Sequence, residues 1–493
     1  MEQNILEQIL DGTMEPTDLP LEILRDITDK FSRNRIIGEG GFATVYKGVL
    51  QNGNVAVKKI MSSKTIDEKL FRREVDSLME VKHQNVVKFL GFCSHTDHTP
   101  VKNPASRGYI YAEKRERLLC FEYLSNGSLD KHITDELRGL EWDTRYQVIK
   151  GICTGLYYLH MEKRILHMDL KPGNILLDNQ MIPKITDFGL SRPAENSRTT
   201  SANHFSSPGY SAPENLFGDG RFTVKSDIYS LGKIIVEVVT GHKGIPDDNK
   251  NVLRRWRHRW NKSEKETPVA YQHQVIKCIE IGIMCQSIGP NKRPFISDIM
   301  DEIGKMESMS NHIRNADEYT IGQTNSSSWE DDMLGVEPLE LRFANFDDNN
   351  KQISSSCSVE LSNNTNGLIA FNIQTTSPWP YCINPKSNIV PPQSKLSVEI
   401  TLPEATQDHD KYYTDHFTVQ STKVNEGLTF EDINEDMFDK GKDVDEVHLT
   451  VIYGPQLKAT SCVLLSEEPS KEVIPLQAEY SRGMLLNVRS YPC

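Results

Sequence analysis

The sequence predicts a multidomain chain in which an α+β module precedes an all-β antiparallel sandwich. Three observations carry this. Apolar residues follow a helical period through most of residues 67–306 and a period of two beyond the polar stretch 309–333. That stretch includes Thr324-Asn325-Ser326-Ser327-Ser328 and Glu330-Asp331-Asp332, the texture of a linker. Charge divides near the same place: residues 1–300 hold 42 basic and 38 acidic side chains, whereas 301–493 hold 14 and 31, a net of −17. The 493 residues suffice for about three domains at the usual size.

These features exclude several classes. The acidic second part would repel nucleic acid and anionic membranes alike. The longest apolar stretch, Ile234 to Val239, is broken by Glu237 and is far shorter than the ~20 residues of a membrane span. Met1-Glu2-Gln3-Asn4 has no signal-peptide pattern and no Gly for myristoylation, and Cys493 stands in no prenylation box. Nine cysteines without a CxxC pair predict reduced thiols in a cytosolic protein.

Along the chain, residues 1–30 read as a short helical lead-in. Residues 31–57 are Gly-rich and β-branched, Asp67 to Val81 is a helix, and helices dominate to Met306. The loop from Ser94 to Arg117 exceeds what a hairpin needs; its His95 and His98 are either solvated or a metal site. Beyond the linker, Val359 and Leu361, then Leu396, Val398, Ile400 and Leu402, then Val447, Leu449, Val451 and Tyr453 alternate with polar neighbours. Asn363-Asn364, Pro378 and Pro391-Pro392 supply turns. Phe430 to Phe438 reads as a short amphipathic helix, and residues 455–493 read as a tail.

The chemistry concentrates in the first module. Ile37-Gly38-Glu39-Gly40-Gly41-Phe42-Ala43-Thr44-Val45 is a Gly-rich turn between strands, suited either to a tight hairpin or to backbone N–H groups approaching phosphate. Val55-Ala56-Val57-Lys58 then places a cation on a strand, and Glu74 sits on the helix that follows. His167-Met168-Asp169-Leu170-Lys171-Pro172-Gly173-Asn174, Asp187-Phe188-Gly189 and Ala212-Pro213-Glu214 complete the series.

In this order and spacing the motifs resemble those of the protein kinases, over residues 31–308. Ile37 to Gly48, Leu119 to Asp130 and Ser226 to Gly232 resemble plant receptor-like kinases, specifically the receptor-like cytoplasmic class. The resemblance implies a bilobal α+β protein kinase fold and ATP- and Mg²⁺-dependent transfer to Ser/Thr hydroxyls of protein substrates in intracellular signalling. It implies that Lys58 holds the α/β-phosphates and pairs with Glu74, that Asp169 accepts the hydroxyl proton, and that Asn174 and Asp187 carry magnesium. Lys171 would steady the transferred phosphoryl, and Ser207 would line the acceptor pocket. Ile37, Gly38, Gly40, Gly41, Val45 and Ala56 would surround the nucleotide, with Phe121 as gatekeeper and Glu122 and Leu124 in the adenine hinge. Glu214 and Arg293 would form a buried ion pair, and Asp227 would brace the catalytic loop.

Two departures stand out. Ala43 replaces the third glycine of the loop, which stiffens it. Met168 stands where the family's Arg clamps an activation-segment phosphate, so charge-pairing control is expected to be absent, a non-RD kinase. Thr199, Thr200, Ser201 and Ser206 are phosphorylation candidates or simply polar loop residues. A scaffold without catalysis is the competing reading, and the intact Lys58, Asp169, Asn174 and Asp187 favour the enzyme.

The second module, 334–454, resembles a major sperm protein (MSP) domain through Leu334 to Phe343, Cys357 to Thr365, Ile369 to Pro378, Tyr381 to Pro385 and Asp415 to Gln420. That family implies an immunoglobulin-like sandwich without catalytic groups. Its VAMP-associated members hold acidic peptides on a basic face and so tether proteins to membranes. Here Asn372 and Gln374 stand where those members have Lys, His416-Phe417-Thr418 replaces Lys-Phe-Met, and Asn384-Pro385-Lys386 replaces Arg-Pro-Asn. With a net of −17, repulsion of acidic ligands is expected, and the domain reads as a protein-interaction module with a different partner. Location is expected to be cytoplasmic, with membrane recruitment through partners.

Overall fold

The computed structural model describes residues 3–41, 43–61, 68–102, 109–187, 192–193, 207, 209–217, 222–246, 249–262, 269–316, 333–344, 355–377, 380–402, 416–439 and 443–454. Thr199, Thr200, Ser201, Ser206, most of the linker and the tail lie outside them. The chain divides into two compact units, Met1–Asp331 and Asp332–Cys493.

The first unit opens with α1 (Gln3–Asp11), β1 (Thr17–Asp18) and α2 (Leu21–Ile27). These are more than a helical lead-in. β1 pairs in parallel with β5 (Phe89–Lys102), placing Thr17 opposite Gly91. At Gly91 φ is +154°, and a Cβ there would meet Thr17 O at 2.5 Å, so only glycine admits this strand. Leu6, Ile9, Leu24 and Ile27 bury against Val55, Val57, Leu118 and Cys120. The sheet runs β1-β5-β6-β4-β3-β2, with β2 at Ile36–Glu39, β3 at Ala43–Val49, β4 at Asn54–Ile60 and β6 at Tyr109–Glu122. Between β4 and β5, α3 (Glu68–Glu80) lays Phe71, Val75 and Leu78 on the sheet, at i, i+4 and i+7.

The stretch expected as a long loop from Ser94 to Arg117 is a ribbon: β5 and β6 stay in register from Cys93–Leu118 out to Lys102–Tyr109. Its pairs include Asp97 with Lys114, opposite charges facing across the ladder, and His98 with Glu113. Among the described residues no group of three or more His, Cys, Asp or Glu could hold a metal.

The larger half of this unit is helical. β7 (Gly127–Ser128) leads to α4 (Trp142–Tyr157), then β8 (Ile165–Leu166), β9 (Ile175–Leu177), β10 (Pro183–Ile185) and β11 (Arg192–Pro193) follow, with the run from His167 to Asn174 between β8 and β9. α5 (Pro213–Phe217), α6 (Val224–Thr240), α7 (Asn249–Lys262), α8 (Val269–Cys285) and α9 (Ile296–Ala316) follow. α6 begins in a capping box between Thr223 and Ser226 and stops at Gly241, whose φ of +75° closes its last turn. Buried Arg145 of α4 donates to the carbonyls of Thr134, Asp135, Arg138, Leu140 and Val238, fixing the connection before α4. α9 continues into the stretch read as linker. No helix among the described residues is long and apolar enough to cross a membrane.

The second unit is two sheets. One is β12-β14-β18-β16, formed by Gly335–Glu337, Ser355–Asn363, Ser394–Leu402 and Cys382–Asn384. The other is β13-β20-β19-β15-β17, formed by Glu340–Ala344, Val444–Gly454, His416–Val424, Leu368–Thr375 and Ser387–Val390. Val359, Leu361, Val398 and Ile400 of the first sheet and Phe371, Phe417, Val419 and Leu449 of the second are buried; alternate residues such as Glu360 and Glu399 of the first sheet face out, whereas Asn372 and Gln420 of the second are buried as well. The expected helix over 430–438 is two 3₁₀ turns, Phe430–Asp432 and Glu435–Phe438, with Phe438 buried.

Candidate active site

The run from His167 to Asn174 is shaped by one buried carboxylate. Asp227 of α6 accepts from the backbone N–H groups of His167 and Met168, each at 2.8 Å, and from His160 Nε2 at 2.9 Å. Burial pushes the Asp227 carboxyl up, but its bonds to His160 and His167 outweigh that and hold it below the usual range. The brace keeps Met168 at φ +71°, a left-handed conformation of the kind that persists only where its surroundings enforce it.

Asp169 is thereby set at the centre of a cluster. Its Oδ1 accepts from Ser207 Oγ at 2.6 Å, and its Oδ2 accepts from Lys171 Nζ at 2.7 Å and Asn174 Nδ2 at 3.0 Å. Lys171 Nζ also donates to Ser207 Oγ at 2.8 Å, and Asn174 Nδ2 to the Asp169 carbonyl at 2.8 Å. A pocket beside Asp169 is lined by Met168, Ser207, Tyr210, Ala212 and Ser230.

A second cluster faces the sheet. Lys58 of β4 lies opposite Val45 of β3 on one side and Leu119 of β6 on the other, and its Nζ is 2.6 Å from Asp187 Oδ1. Burial opposes the Lys58 charge, yet Asp187 and Glu74 hold its ammonium above the usual range. Asp187 is likewise held below its usual range by Lys58 against the effect of burial. Asp187 has φ +67°, a second enforced outlier. Phe188 and Gly189 lie outside the described residues.

The expected Lys58–Glu74 pair is not made. Lys58 bonds Asp187 instead, and among the described residues no ion pair joins it to Glu74. Glu74 still feels both charges: burial pushes its carboxyl up, with Lys58 opposing and Asp187 adding to the rise.

Gly38 and Glu39 of β2 pair with Val45 and Thr44 of β3, and Gly40 N donates to Ala43 O at 3.0 Å, closing the hairpin tip. Among the described residues other than its chain neighbours, no atom lies within 4 Å of where a Gly41 Cβ would be, which leaves open space beside it. Ile37 is exposed. Half-buried Ala56 lies opposite Phe121, whose ring meets Phe89 edge-on at 5.6 Å. Glu122 turns its carboxylate away: it accepts from Lys88 N at 2.7 Å and from Lys184 Nζ at 2.9 Å. Leu124 is buried just beyond.

Residues 31–303 match the family model of the protein kinase domain. The chain belongs to the protein kinase family. The receptor-like serine/threonine-protein kinase SD1-7 of Arabidopsis thaliana is 36% identical over 311 residues, 58% of this chain and 34% of that protein. The cysteine-rich receptor-like protein kinase 41 of the same plant is 33% identical over 317 residues, 60% of this chain and 45% of that protein. The chain thus matches less than half the length of these relatives. Residues 333–443 match the MSP (major sperm protein) domain model.

Within the kinase domain the buried pair is present: Arg293 Nη1 and Nη2 reach Glu214 Oε1 and Oε2 at 2.6 and 2.8 Å. Sequence reasoning missed His160, Lys184, Lys88 and the Arg117–Glu68 bond. Each is a lone polar residue outside the motifs, joined to its partner only by the fold.

In the MSP region, Asn372 and Gln374 of β15 lie opposite Gln420 and Thr418 of β19, which lie opposite Glu446 and His448 of β20. Gln420 Nε2 donates to Glu446 Oε1 at 2.8 Å. This row holds amides, a hydroxyl, a carboxylate and an imidazole, with no Lys or Arg.

Proposed function

We propose that the chain transfers the γ-phosphoryl group of ATP to Ser and Thr hydroxyls of proteins. The observation that carries this is the convergence of Lys171, Asn174 and Ser207 on the Asp169 carboxylate, with Lys58 and Asp187 bonded nearby. A substrate hydroxyl beside Asp169 gives up its proton to that carboxylate as its oxygen bonds to the γ-phosphorus. The bond to the β-phosphate oxygen breaks and ADP leaves. Lys171 spans Asp169 and the acceptor side, where it offsets charge on the phosphoryl oxygens.

The residues fit the nucleotide and its metal. The open space beside Gly41 leaves room for a phosphate to approach the backbone of the hairpin tip. Asp187 and Asn174 offer the hard oxygen ligands that Mg²⁺ takes, and the metal supplies charge neutralisation on the phosphates. Lys58, already a cation bonded to Asp187, would turn to the α/β-phosphates. Ile37, Val45, Ala56, Phe121 and Leu124 would enclose the base.

Membership in the receptor-like cytoplasmic class, a cytoplasmic location and membrane recruitment through partners are part of this reading. So is a protein partner of the MSP domain that is not acidic, since its amide-rich row carries no cation to hold one. The test is incorporation of labelled γ-phosphate by purified protein beside Asp169→Asn. Incorporation by the wild type alone is expected. Equal background in both would favour a scaffold that only assembles partners.

A further inference from the structure

The strand pair that carries Lys58 carries a second cation on the same face. Lys58 lies opposite Leu119, and Ile60 lies opposite Arg117. Opposed residues and alternate residues of a ladder share one side of the sheet. Lys58 and Arg117 therefore both project toward α3, whose Phe71 and Val75 bury together with Leu119.

Arg117 is closed onto that helix. Its Nε and Nη2 donate to Glu68 Oε2 at 3.0 and 2.7 Å, and its guanidinium lies 5.8 Å from the Phe71 ring centre. The side chain is only 4% exposed. It is fixed from behind, since Nη1 donates to His95 O at 2.7 Å and Glu116 O at 3.0 Å, both on the β5–β6 ribbon. Glu68 is the first residue of α3, where a carboxylate also suits the helix dipole. Glu74 stands six residues on, about 9 Å along the axis at 1.5 Å per residue.

Two cation–anion rows thus face each other across α3 and the sheet: Arg117–Glu68 is closed and Lys58–Glu74 is open. We propose that Arg117 is a positioning residue for phosphoryl transfer, tying the first turn of α3 to the β5–β6 ribbon so that Glu74 meets Lys58 by pivoting about that fixed end. The inference rests on the kinase reading. Without the tether α3 keeps its apolar contacts but loses its axial position, and Glu74 has no set distance from Lys58.

The test pairs hydrogen exchange with kinetics on the full chain. In Arg117→Met, and to a lesser degree in Glu68→Gln, amide exchange across residues 68–80 should rise about tenfold while α4 and α6 are unchanged. If the wild type phosphorylates, kcat/KM for ATP should fall about tenfold to a hundredfold in Arg117→Met. Arg117→Lys should recover part of it, and the Arg117→Met/Glu68→Gln double variant should be no worse than Arg117→Met. Unchanged α3 exchange, equal acceleration in α6, or additive losses in the double variant would each overturn the tether. A wild type no more active than Asp169→Asn would instead defeat the kinase reading, and the exchange data would still judge Arg117.

Discussion

Ser207 Oγ donates to Asp169 Oδ1 at 2.6 Å while Lys171 Nζ reaches both residues, so carboxylate, ammonium and hydroxyl form one closed triangle. The triangle gives the two side chains different weights. Lys171→Met should lower kcat by about a hundredfold to a thousandfold, as for loss of a charge-stabilising donor, with little change in KM for ATP. Ser207→Ala should cost less, and Ser207→Thr should keep the rate because it keeps the hydroxyl. Steady-state kinetics with ATP and a Ser/Thr protein substrate check both.

The Glu214–Arg293 pair makes a separate prediction about stability. The Arg293 side chain is fully buried, so Glu214→Ala leaves a buried cation without its carboxylate and should destabilise the domain by about 3–5 kcal/mol. Burial pushes the Glu214 carboxyl up, but its bonds to Arg293 outweigh this and hold it below 4.5. A depressed carboxylate contributes stability that is fully present above its unfolded value and is lost as pH falls through its folded one. The melting-temperature gap between wild type and Glu214→Gln should therefore be constant near neutrality and shrink as pH drops below 4.5. A gap that persists in acid would contradict the assignment.

What the sequence made legible was what chemistry fixes locally. Asp169, Lys171 and Asn174 fall within one short run because a tight loop must bring them to one point, and the period-two strands of the second unit follow from burial of one face. The ribbon of β5 and β6 was hidden because Ser94-His95-Thr96-Asp97-His98 is polar at every position. Nothing alternates where much of the ribbon is wetted on both faces. β1 was hidden because its pairing is granted by Gly91, distant in sequence. The resemblance to the protein kinases implied that Lys58 pairs with Glu74, whereas in the structure Lys58 bonds Asp187, a residue 129 positions away that only the fold brings to it.

Met168 predicts insensitivity to activation-segment phosphorylation. A thioether cannot clamp a phosphate, and its backbone is already held by Asp227. Thr199→Ala/Thr200→Ala should leave the phosphorylation rate within about twofold of wild type, since a phosphate there finds no Arg at position 168 to pair with. A large fall in rate would show that another cation reads those positions.

The N-terminal segment is part of the core it covers. Leu24 is fully buried against the sheet, so Leu24→Ala should cost about 2–5 kcal/mol, read by denaturant unfolding. A change below about 0.5 kcal/mol, typical of surface sites, would mean the segment is dispensable to the fold.

The most direct measurement is phosphoamino-acid analysis of the protein after incubation with Mg²⁺ and γ-labelled ATP, in the wild type and in Asp169→Asn. Label on serine and threonine in the wild type, and none in the variant, is the expected result. Label confined to tyrosine, or equal label in both proteins, would contradict the assignment of Asp169 and Lys171 to Ser/Thr phosphoryl transfer.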